Sequence, residues 1–199
     1  MGNRVYQFKI QLKEITPPIW RRILVPEEYN FWDLHVAIQD SMGWLDHHLH
    51  VFRIRQKHSS SIVEIGIPNV DRFEDEPEII PGWEIPISHY FHDLGITSDY
   101  KYDFGDGWEH EVILEGILIK EKGTKYPKCI DGSRACPPED CGGVPGYCHV
   151  SDVVSNPGHE EYEDMITWLG GKYDPEEFNP DDIKFDNPKK RWERAFSQG

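Results

Sequence analysis

The alternation of hydrophobic and polar residues predicts β-strands through the first two thirds of the chain. Residues 4–12 carry apolar side chains on one face and polar side chains on the other, as a half-buried strand does. The apolar face consists of Tyr6, Phe8, Ile10 and Leu12. Thr16-Pro17-Pro18 interrupts this pattern, and residues 19–25 form a second predicted strand that returns beside the first and stops at Pro26.

A change to helical spacing predicts a helix after this pair of strands. Asn30 is a favourable N-cap, Asp33 lies in the first turn, and Gly43 is a suitable stop. The apolar residues at helical spacing are Phe31, Leu34, Ile38 and Met42. Period two returns in 48–56 and in 61–67, which could pair, so the chain begins with the order strand, strand, helix, strand, strand.

Residues 100–119 form the clearest hairpin pattern of the chain. Aromatic-rich arms flank Asp106-Gly107, a dipeptide that favours a turn with positive φ angles. Residues 121–148 then contain five Gly, four Pro and four Cys, and they show no period of helix or strand. A loop of this length in a compact domain is usually functional, or is held by something other than a hydrophobic core.

The C-terminal residues return to helical patterns. One predicted helix is marked by Tyr162, Ile166 and Leu169 and ends at Gly170-Gly171. Asp174-Pro175-Glu176-Glu177 is typical of a helix start, and Trp192 and Phe196 mark a final short helix. Neither an internal repeat nor a domain linker is evident. We therefore predict a single α+β domain over residues 1–199, with a mostly antiparallel sheet and a helical C-terminal part.

Composition narrows the class of protein. The 199 residues are 38% hydrophobic and 13% aromatic, which is enough to bury a core. The chain has no run of 18 apolar residues, so no transmembrane helix is expected. The opening segment MGNRVYQFKI contains no apolar stretch of the kind that directs secretion. We therefore expect a cytoplasmic protein that does not associate with membranes.

The formal net charge of −15 disfavours binding to a polyanion. Residues 59–120 hold three basic and fourteen acidic side chains, whereas residues 1–58 hold eight and six. Much of the acidic excess lies in 71–84, which we interpret as an exposed loop, with a docking site for a basic partner as the alternative. The near-neutral first third leaves room for a small basic face, so nucleic-acid binding is disfavoured without being excluded.

Four cysteines, at positions 129, 136, 141 and 148, crowd into the aperiodic segment. Four thiolates, or three with an imidazole, satisfy tetrahedral zinc. In a chain without a secretion signal, clustered cysteines favour metal or redox chemistry over structural disulfides. Only the gap between Cys136 and Cys141 fits common zinc spacing, so free thiols or a disulfide remain alternatives. A bound zinc would be structural, because metal binding would supply folding energy to this segment.

Histidines and aspartates suggest a second candidate site. His48 and His50 would share one strand face, and His110 begins the second hairpin arm beside the turn that contains Asp103 and Asp106. These five residues could bind a catalytic divalent metal or act as acid and base. His110 could instead complete the cysteine site. The structural alternative is that the aspartates serve the tight turn and the histidines are satisfied polar residues, since no strong catalytic motif is present.

Five segments of the chain together resemble the plasmid pRiA4b ORF-3-like family. In chain order they are ITPPIWRRILVP, GWLDHHLHVF, YDFGDGWEHEVILE, ACPPEDCGGVPGY and GKYDPEEFN. The resemblance covers nearly the whole chain and implies one α+β domain with a mixed or antiparallel sheet. It implies no established activity, although some members carry labels that link them to mobile elements. It also favours Cys129, Cys136 and Cys141 with His110, or another nearby group, as zinc ligands over a set that includes Cys148.

Three hypotheses for function follow from these observations. The first is a non-enzymatic module with a metal-ordered cysteine loop that binds a protein partner, and it requires an exposed groove or apolar patch. The second is a metal-dependent hydrolase, which requires the histidine and aspartate candidates to converge in one open pocket. The third is a mobile-element accessory protein that binds nucleic acid through a basic face. The residues proposed for that face are Arg21, Arg22, Arg53 and Arg55.

Overall fold

An eight-stranded sheet organises the chain, of which the computed structural model describes residues 2–55, 61–68 and 78–196. The strands are β1 (Arg4–Leu12), β2 (Trp20–Pro26), β3 (His50–Arg55), β4 (Ile62–Gly66), β5 (Ile79–Pro81), β6 (Thr97–Tyr102), β7 (Trp108–Ile119) and β8 (Lys128–Ser133). The helices are α1 (Phe31–Met42), α2 (Gly143–Val154), α3 (Tyr162–Trp168) and α4 (Pro188–Phe196). The predicted α+β class with a mostly antiparallel sheet is confirmed.

The sheet has the strand order β5-β4-β3-β6-β7-β1-β2-β8. All neighbouring strands are antiparallel except β4 and β5, which are parallel. The predicted pairings of β1 with β2 and of β3 with β4 are both present. Strand β3 begins at His50, later than the start predicted at residue 48, so the expected alternation of side chains does not extend to His48.

Helix α1 follows its sequence signals closely. The Asn30 side chain accepts a hydrogen bond from the Asp33 backbone N–H, and the Asp33 carboxylate accepts one from the Asn30 backbone N–H, which is a reciprocal cap. Gly43 ends the helix with a φ of 91°, in the left-handed region. The apolar side of α1 faces the sheet, where Phe31 packs edge-on against Phe52 of β3.

The hairpin of β6 and β7 is confirmed, but its turn differs from the prediction. The connection spans residues 103–107, and the positive φ angles belong to Asp103 and Gly107, at 52° and 71°. Asp106 keeps a negative φ, because the connection is longer than a two-residue turn. The Asp103 side chain closes this turn by accepting hydrogen bonds from the backbone N–H groups of Gly105 and Asp106.

Two sequence interpretations in the C-terminal part are wrong. Residues 121–148 are not aperiodic throughout, because they contain β8 and the start of α2. Glycine and proline obscured the pattern of α2. Pro145 occupies the first turn of this helix, where a missing backbone N–H costs nothing. Residues 174–177 form a turn and not a helix start, and the Asp174 side chain caps the Glu176 N–H within it.

Helix α4 packs its aromatic side chains against α1 and the loop after β5. Trp192 stacks edge-on with Trp32 and with Trp83, at ring-centroid distances of 5.4 and 4.4 Å. Phe196 adds to this cluster. The final helix predicted from Trp192 and Phe196 is thus confirmed.

The predicted acidic loop is only partly described. Residues 71–77 of it lie outside the described part of the chain, and residues 79–81 form strand β5.

Among residues 2–55, 61–68 and 78–196, no helix combines the length and apolar character needed to cross a membrane.

Two histidines are buried in the core of the sheet, and their burial disfavours the protonated, charged form of each ring. His50 stacks on His35 with a ring-centroid distance of 3.5 Å, and its burial lowers its pKa well below the usual value. His110 donates from Nδ1 to the Tyr100 carbonyl at 3.2 Å, and its burial lowers its pKa to about 4. Its Nε2 has no hydrogen-bond partner among the described residues.

Acidification should therefore destabilise the fold through His110. The unfolded chain binds a proton on this ring below pH ~6.5, whereas the folded chain does so only near pH 4, so stability falls as pH drops between these values. The slope should be about 1.4 kcal/mol per pH unit. We expect the free energy of unfolding of His110→Gln, from urea titrations, to fall less steeply with decreasing pH than that of the parent chain.

The exposed His92 supplies the matched control for this measurement. His92→Gln should leave the pH slope unchanged, because it removes an imidazole at an exposed position outside the buried core. Equal slopes for His110→Gln and the parent chain would contradict the prediction that His110 causes this loss of stability.

Candidate functional site

Three loops from distant parts of the chain meet at one end of the sheet. They are residues 44–49 after α1, residues 103–107 between β6 and β7, and residues 134–143, which run from β8 into the first turn of α2. We call this region the loop junction. Strands β3 and β6 are neighbours, so the first two loops necessarily leave the same end of the sheet. The third loop reaches them because β8, at the edge, delivers the chain to that end.

Hydrogen bonds from side chains fix the third loop onto the first. The Trp44 indole donates to the Pro137 carbonyl at 2.9 Å, and the Glu139 carboxylate accepts from the Leu45 N–H at 2.8 Å. The Tyr102 hydroxyl donates to the same carboxylate and accepts from the His47 N–H. Burial, with the adjacent Glu139 carboxylate, raises the pKa of Tyr102, so its hydroxyl keeps the proton that it donates.

The third loop also contacts the hairpin turn at very short range. The Asp106 carboxylate accepts from the Gly142 N–H at 3.0 Å. A Cβ atom at Gly143 would lie 2.4 Å from the Asp106 carbonyl oxygen, closer than any side chain allows. Gly143 also has a φ of 68°. Only glycine therefore permits this approach of the two backbones.

His48, Asp103 and Asp140 form a cluster at the surface of the loop junction, which we call the His48 trio. His48 Nε2 lies 3.0 Å from an Asp140 oxygen and 3.6 Å from Asp103 Oδ2. One potential ligand atom from each residue lies within 4.8 Å of the others. His48 is partly exposed and Asp140 is exposed, whereas Asp103 is buried. The set offers one imidazole and two carboxylates, which suits a divalent transition metal.

The five catalytic candidates do not share one pocket. His48 and Asp103 come together in the trio, and Asp106 lies in the adjacent contact with Gly142. His50 and His110 are buried in the core of the sheet, as described above. The five-residue hydrolase site is therefore not assembled, because the sheet places two of its histidines inside the core.

Asp140 was not among the candidates, although it completes the trio. Its position 92 residues beyond His48 gives no local signal of their contact. The signal available was the segment PPEDCGG, in which an acidic residue precedes two glycines. Asp140 adopts a φ of 55°, a left-handed conformation that Asp tolerates better than most residues.

The four cysteines are free thiols in different settings. Cys129 is buried on β8, Cys136 and Cys141 lie partly buried in the third loop, and Cys148 is exposed on α2. Within the described chain, which includes all four cysteines, the His48 trio is the only group that brings three metal-ligand atoms within 4.8 Å of one another. His110 contacts Trp44 and Tyr100 in the core.

The thiols of the third loop are held in the protonated form by burial. Burial raises the pKa of Cys141 to about 12 and raises that of Cys136 further. Zinc binds the thiolate, so a metal at these residues would have to displace both protons and draw the ligands together. The arrangement does not fit a preformed tetrahedral site, and the predicted zinc remains a prediction.

Protein contacts hold the cysteine loop, by which we mean residues 129–148. Besides the Trp44 bond, the Tyr173 hydroxyl donates to the Cys136 carbonyl at 2.9 Å. Arg134 donates to the Pro17 carbonyl and pairs with Glu176. These bonds attach the loop both to the strand pair at the start of the chain and to the C-terminal segment.

Three of the four arginines proposed for a basic face are buried or paired with carboxylates, and Arg55 is exposed. Arg21 is buried, with 2% of its surface exposed. Arg22 pairs with Glu115 and Asp131, and Arg53 pairs with Glu64. The expectation that Arg21 faces solvent is wrong, because its position in β2 directs it to the buried side of the sheet.

The close approach at Gly143 predicts a measurable cost for a single methyl group. Gly143→Ala and Gly170→Ala both place alanine at a positive φ, 68° and 72°, but no atom lies within 4 Å of the Cβ position at Gly170. Both variants should lose about 1 kcal/mol from backbone strain. Gly143→Ala should lose about 1–3 kcal/mol more in urea unfolding, because the third loop must move away from the turn. Equal losses would show that the contact is not tight in solution.

Comparisons with known proteins place this structure among relatives whose function is not established. The chain is 33% identical over 171 residues to the uncharacterized protein y4hQ of Sinorhizobium fredii, with 85% of this chain and 83% of that protein covered. The fold is similar to the crystal structure of MM3350, a protein of unknown function from Methanosarcina mazei Go1. That similarity has a TM-score of 0.82 and 42% identity, and it covers 93% of this chain and 100% of that one.

The family model described as plasmid pRiA4b ORF-3-like protein matches residues 4–182. That range includes the sheet, α1, α2, α3 and all three loops of the junction, and it stops before α4. The chain therefore belongs to the plasmid pRiA4b ORF-3-like family, as the five sequence segments indicated.

Proposed function

We propose that this chain is a non-enzymatic binding module that contacts a protein partner at the loop junction. The observation that carries the proposal is the exposure of large apolar side chains on this fixed backbone. Leu45, Leu49 and Phe104 are 65%, 50% and 47% exposed. Apolar residues grouped on one functional region of a surface are typical of interaction sites.

The backbone beneath these side chains is rigid for identifiable reasons. Asp46, Asp103 and Asp140 occupy left-handed conformations with φ of 61°, 52° and 55°, which persist only where surrounding contacts hold them. The Leu49 carbonyl accepts from the Asp103 N–H at 3.0 Å, so the backbone of Leu49 is fixed to the residue that precedes Phe104. A surface already held in its binding conformation loses little entropy when a partner associates.

Nucleic acid is a poorer partner for this surface. The surroundings of the junction are acidic, since Asp46, Glu139 and Asp140 all lie within its loops. Of the arginines proposed for a basic face, Arg21 is buried, and Arg22 and Arg53 pair with carboxylates of the sheet. A protein partner is favoured because it needs no neutralisation of phosphates.

A second candidate function, a metal-dependent hydrolase, is supported by the His48 trio. In this reduced form, His48, Asp103 and Asp140 would hold a divalent cation, and the exposure of His48 and Asp140 leaves room for water on the metal. Asp103 would be the best-oriented ligand, because the Gly105 N–H holds its Oδ1 at 2.9 Å and leaves Oδ2 toward His48.

Photo-crosslinking tests the binding module directly. A benzoylphenylalanine in place of Phe104 should give a discrete crosslinked species in cells of the native host, since this side chain would lie in the interface. The species should disappear when Leu49→Asp is combined with it, because a charge at the rim opposes apolar docking.

Leu94 is the control position for this experiment. It is 62% exposed but lies before β6, at the opposite end of the hairpin from the junction. The same probe at Leu94 should not give the species found at Phe104. Identical species at both positions, or none at Phe104, would count against the junction as an interface.

Metal titration separates the two candidate metal sites. If the trio binds Mn²⁺ or Zn²⁺, His48→Ala should weaken the affinity for that ion, measured by calorimetry, by at least ~tenfold. Loss of a residue that only supports a ligand already costs about this much, so loss of a ligand should cost no less. If zinc is held by the cysteines, Cys136→Ser should instead reduce the zinc content of protein purified without chelator. Hydrolysis of phosphate or carboxylate esters that requires the cation and is lost in His48→Ala would favour the enzyme.

His47→Ala provides the matched control, because His47 is adjacent and exposed but belongs to neither set. It should change neither the affinity nor the zinc content. A parent chain that binds no cation would remove the hydrolase candidate and leave the binding module unaffected.

A further inference from the structure

A groove opens between α2 and α3, next to the loop junction. Its volume is about 380 Å³, near the lower end of the range of ligand pockets. Val150 and Met165 contribute apolar surface to it, and Trp168 lies on it with 51% of its surface exposed. A groove of this size can receive a few side chains of a short segment, but not a packed helix.

Carboxylates surround this apolar floor. Asp140, Glu161 and Asp164 all line the groove, and its described lining contains no lysine or arginine. Asp164 forms no ion pair with any residue in the described ranges, and the ion pairs found there for the Glu161 carboxylate are with the imidazoles of His149 and His159. The negative charge here is therefore not neutralised by the protein's own lysine and arginine side chains.

We propose that the groove between α2 and α3 binds a short arginine-containing segment of a protein partner. A guanidinium can stack on the exposed indole of Trp168 while it donates paired hydrogen bonds to the carboxylate of Asp164 or Glu161. Arginine fits this combination better than lysine, because its planar fork serves the ring face and a carboxylate at once. An apolar residue beside the arginine would contact Met165 and Val150.

The inference rests on the proposed function, since it gives the binding module a partner of defined chemistry. The two surfaces are adjacent because Asp140 belongs to both the junction and the groove lining. They are nevertheless tested by different residues, so one can fail without the other. Crosslinking at Phe104 reports on the junction, and the peptide titration below reports on the groove.

The test uses the full chain and a labelled ten-residue peptide with a central Leu-Arg-Leu-Arg core, in about 0.15 M salt. Two matched peptides carry lysine or the neutral isostere citrulline at the arginine positions. Fluorescence anisotropy should give the tightest binding for arginine, weaker binding for lysine, and a loss of about tenfold or more for citrulline.

Two variants of the groove should weaken the arginine peptide. Trp168→Ala removes the stacking surface and Asp164→Asn removes one carboxylate, and each should raise the dissociation constant about five- to tenfold. Asp152→Asn is the control, since Asp152 is exposed on α2 outside the groove lining and its replacement changes the net charge equally. It should change the dissociation constant less than about twofold. Circular dichroism should show that all three variants remain folded.

Three outcomes would overturn the inference. The citrulline peptide could bind as well as the arginine peptide, or the arginine peptide could fail to bind. Asp152→Asn could also weaken binding as much as Asp164→Asn, which would show that only the overall negative charge attracts the peptide. If any of these occurs while Phe104 still gives a specific crosslink, the binding module stands without this partner.

Discussion

The guanidinium of Arg21 is buried between β2, β8 and the end of α1, and the placement of the third loop depends on it. Its Nε donates to the Ser41 carbonyl at the end of α1, and Nη1 donates to the carbonyls of Trp20 and Ser133, at 2.9 and 3.0 Å. The ring of Phe178 covers the group at 3.9 Å. No carboxylate pairs with it within the described chain, and burial lowers its pKa. Backbone dipoles and an aromatic face thus replace water around a buried charge.

This arrangement also holds the cysteine loop in place through protein contacts. Arg21 links β2 to β8 and to α1, and the third loop of the junction leaves directly from β8. Trp44, two residues after α1, then binds the same loop through Pro137. The loop is consequently held at its start by Arg21 and in its middle by Trp44. A tetrahedral zinc at the cysteines would add a further constraint to these protein contacts.

The elements that depend on local signals were predictable from the sequence, and those that depend on distant contacts were not. The reciprocal cap of Asn30 with Asp33 and the stop at Gly43 lie within single turns of α1, so the sequence contains all their determinants. The contact of Asp140 with His48 joins residues 92 positions apart and exists only because three loops converge. Helix α2 was not predicted because Gly143, Pro145 and Gly146 are poor helix formers in a helix interior. They lie in the first turn, where a proline is tolerated.

The burial of Arg21 is a different case, because the signal was present in the sequence. In a strand of period two, Arg21 lies on the same face as Ile23 and Val25, and that face is the buried one. Its charge led to an assignment as a surface residue, whereas the alternation of β2 requires it to point inward. Side-chain periodicity outweighs charge here because turning one residue outward would expose the whole apolar face of the strand.

Asp140 connects the surfaces that this framework presents. One of its oxygens lies 3.0 Å from His48, and the same residue lines the groove between α2 and α3. A divalent cation in the trio would withdraw negative charge from the groove, and an arginine in the groove would compete for the carboxylate that the cation requires. Both proposed ligands are cations that would use one exposed side chain, so occupation of either site would weaken the other. The third loop, held by Arg21 and Trp44, is therefore the element through which the two proposed sites would be coupled.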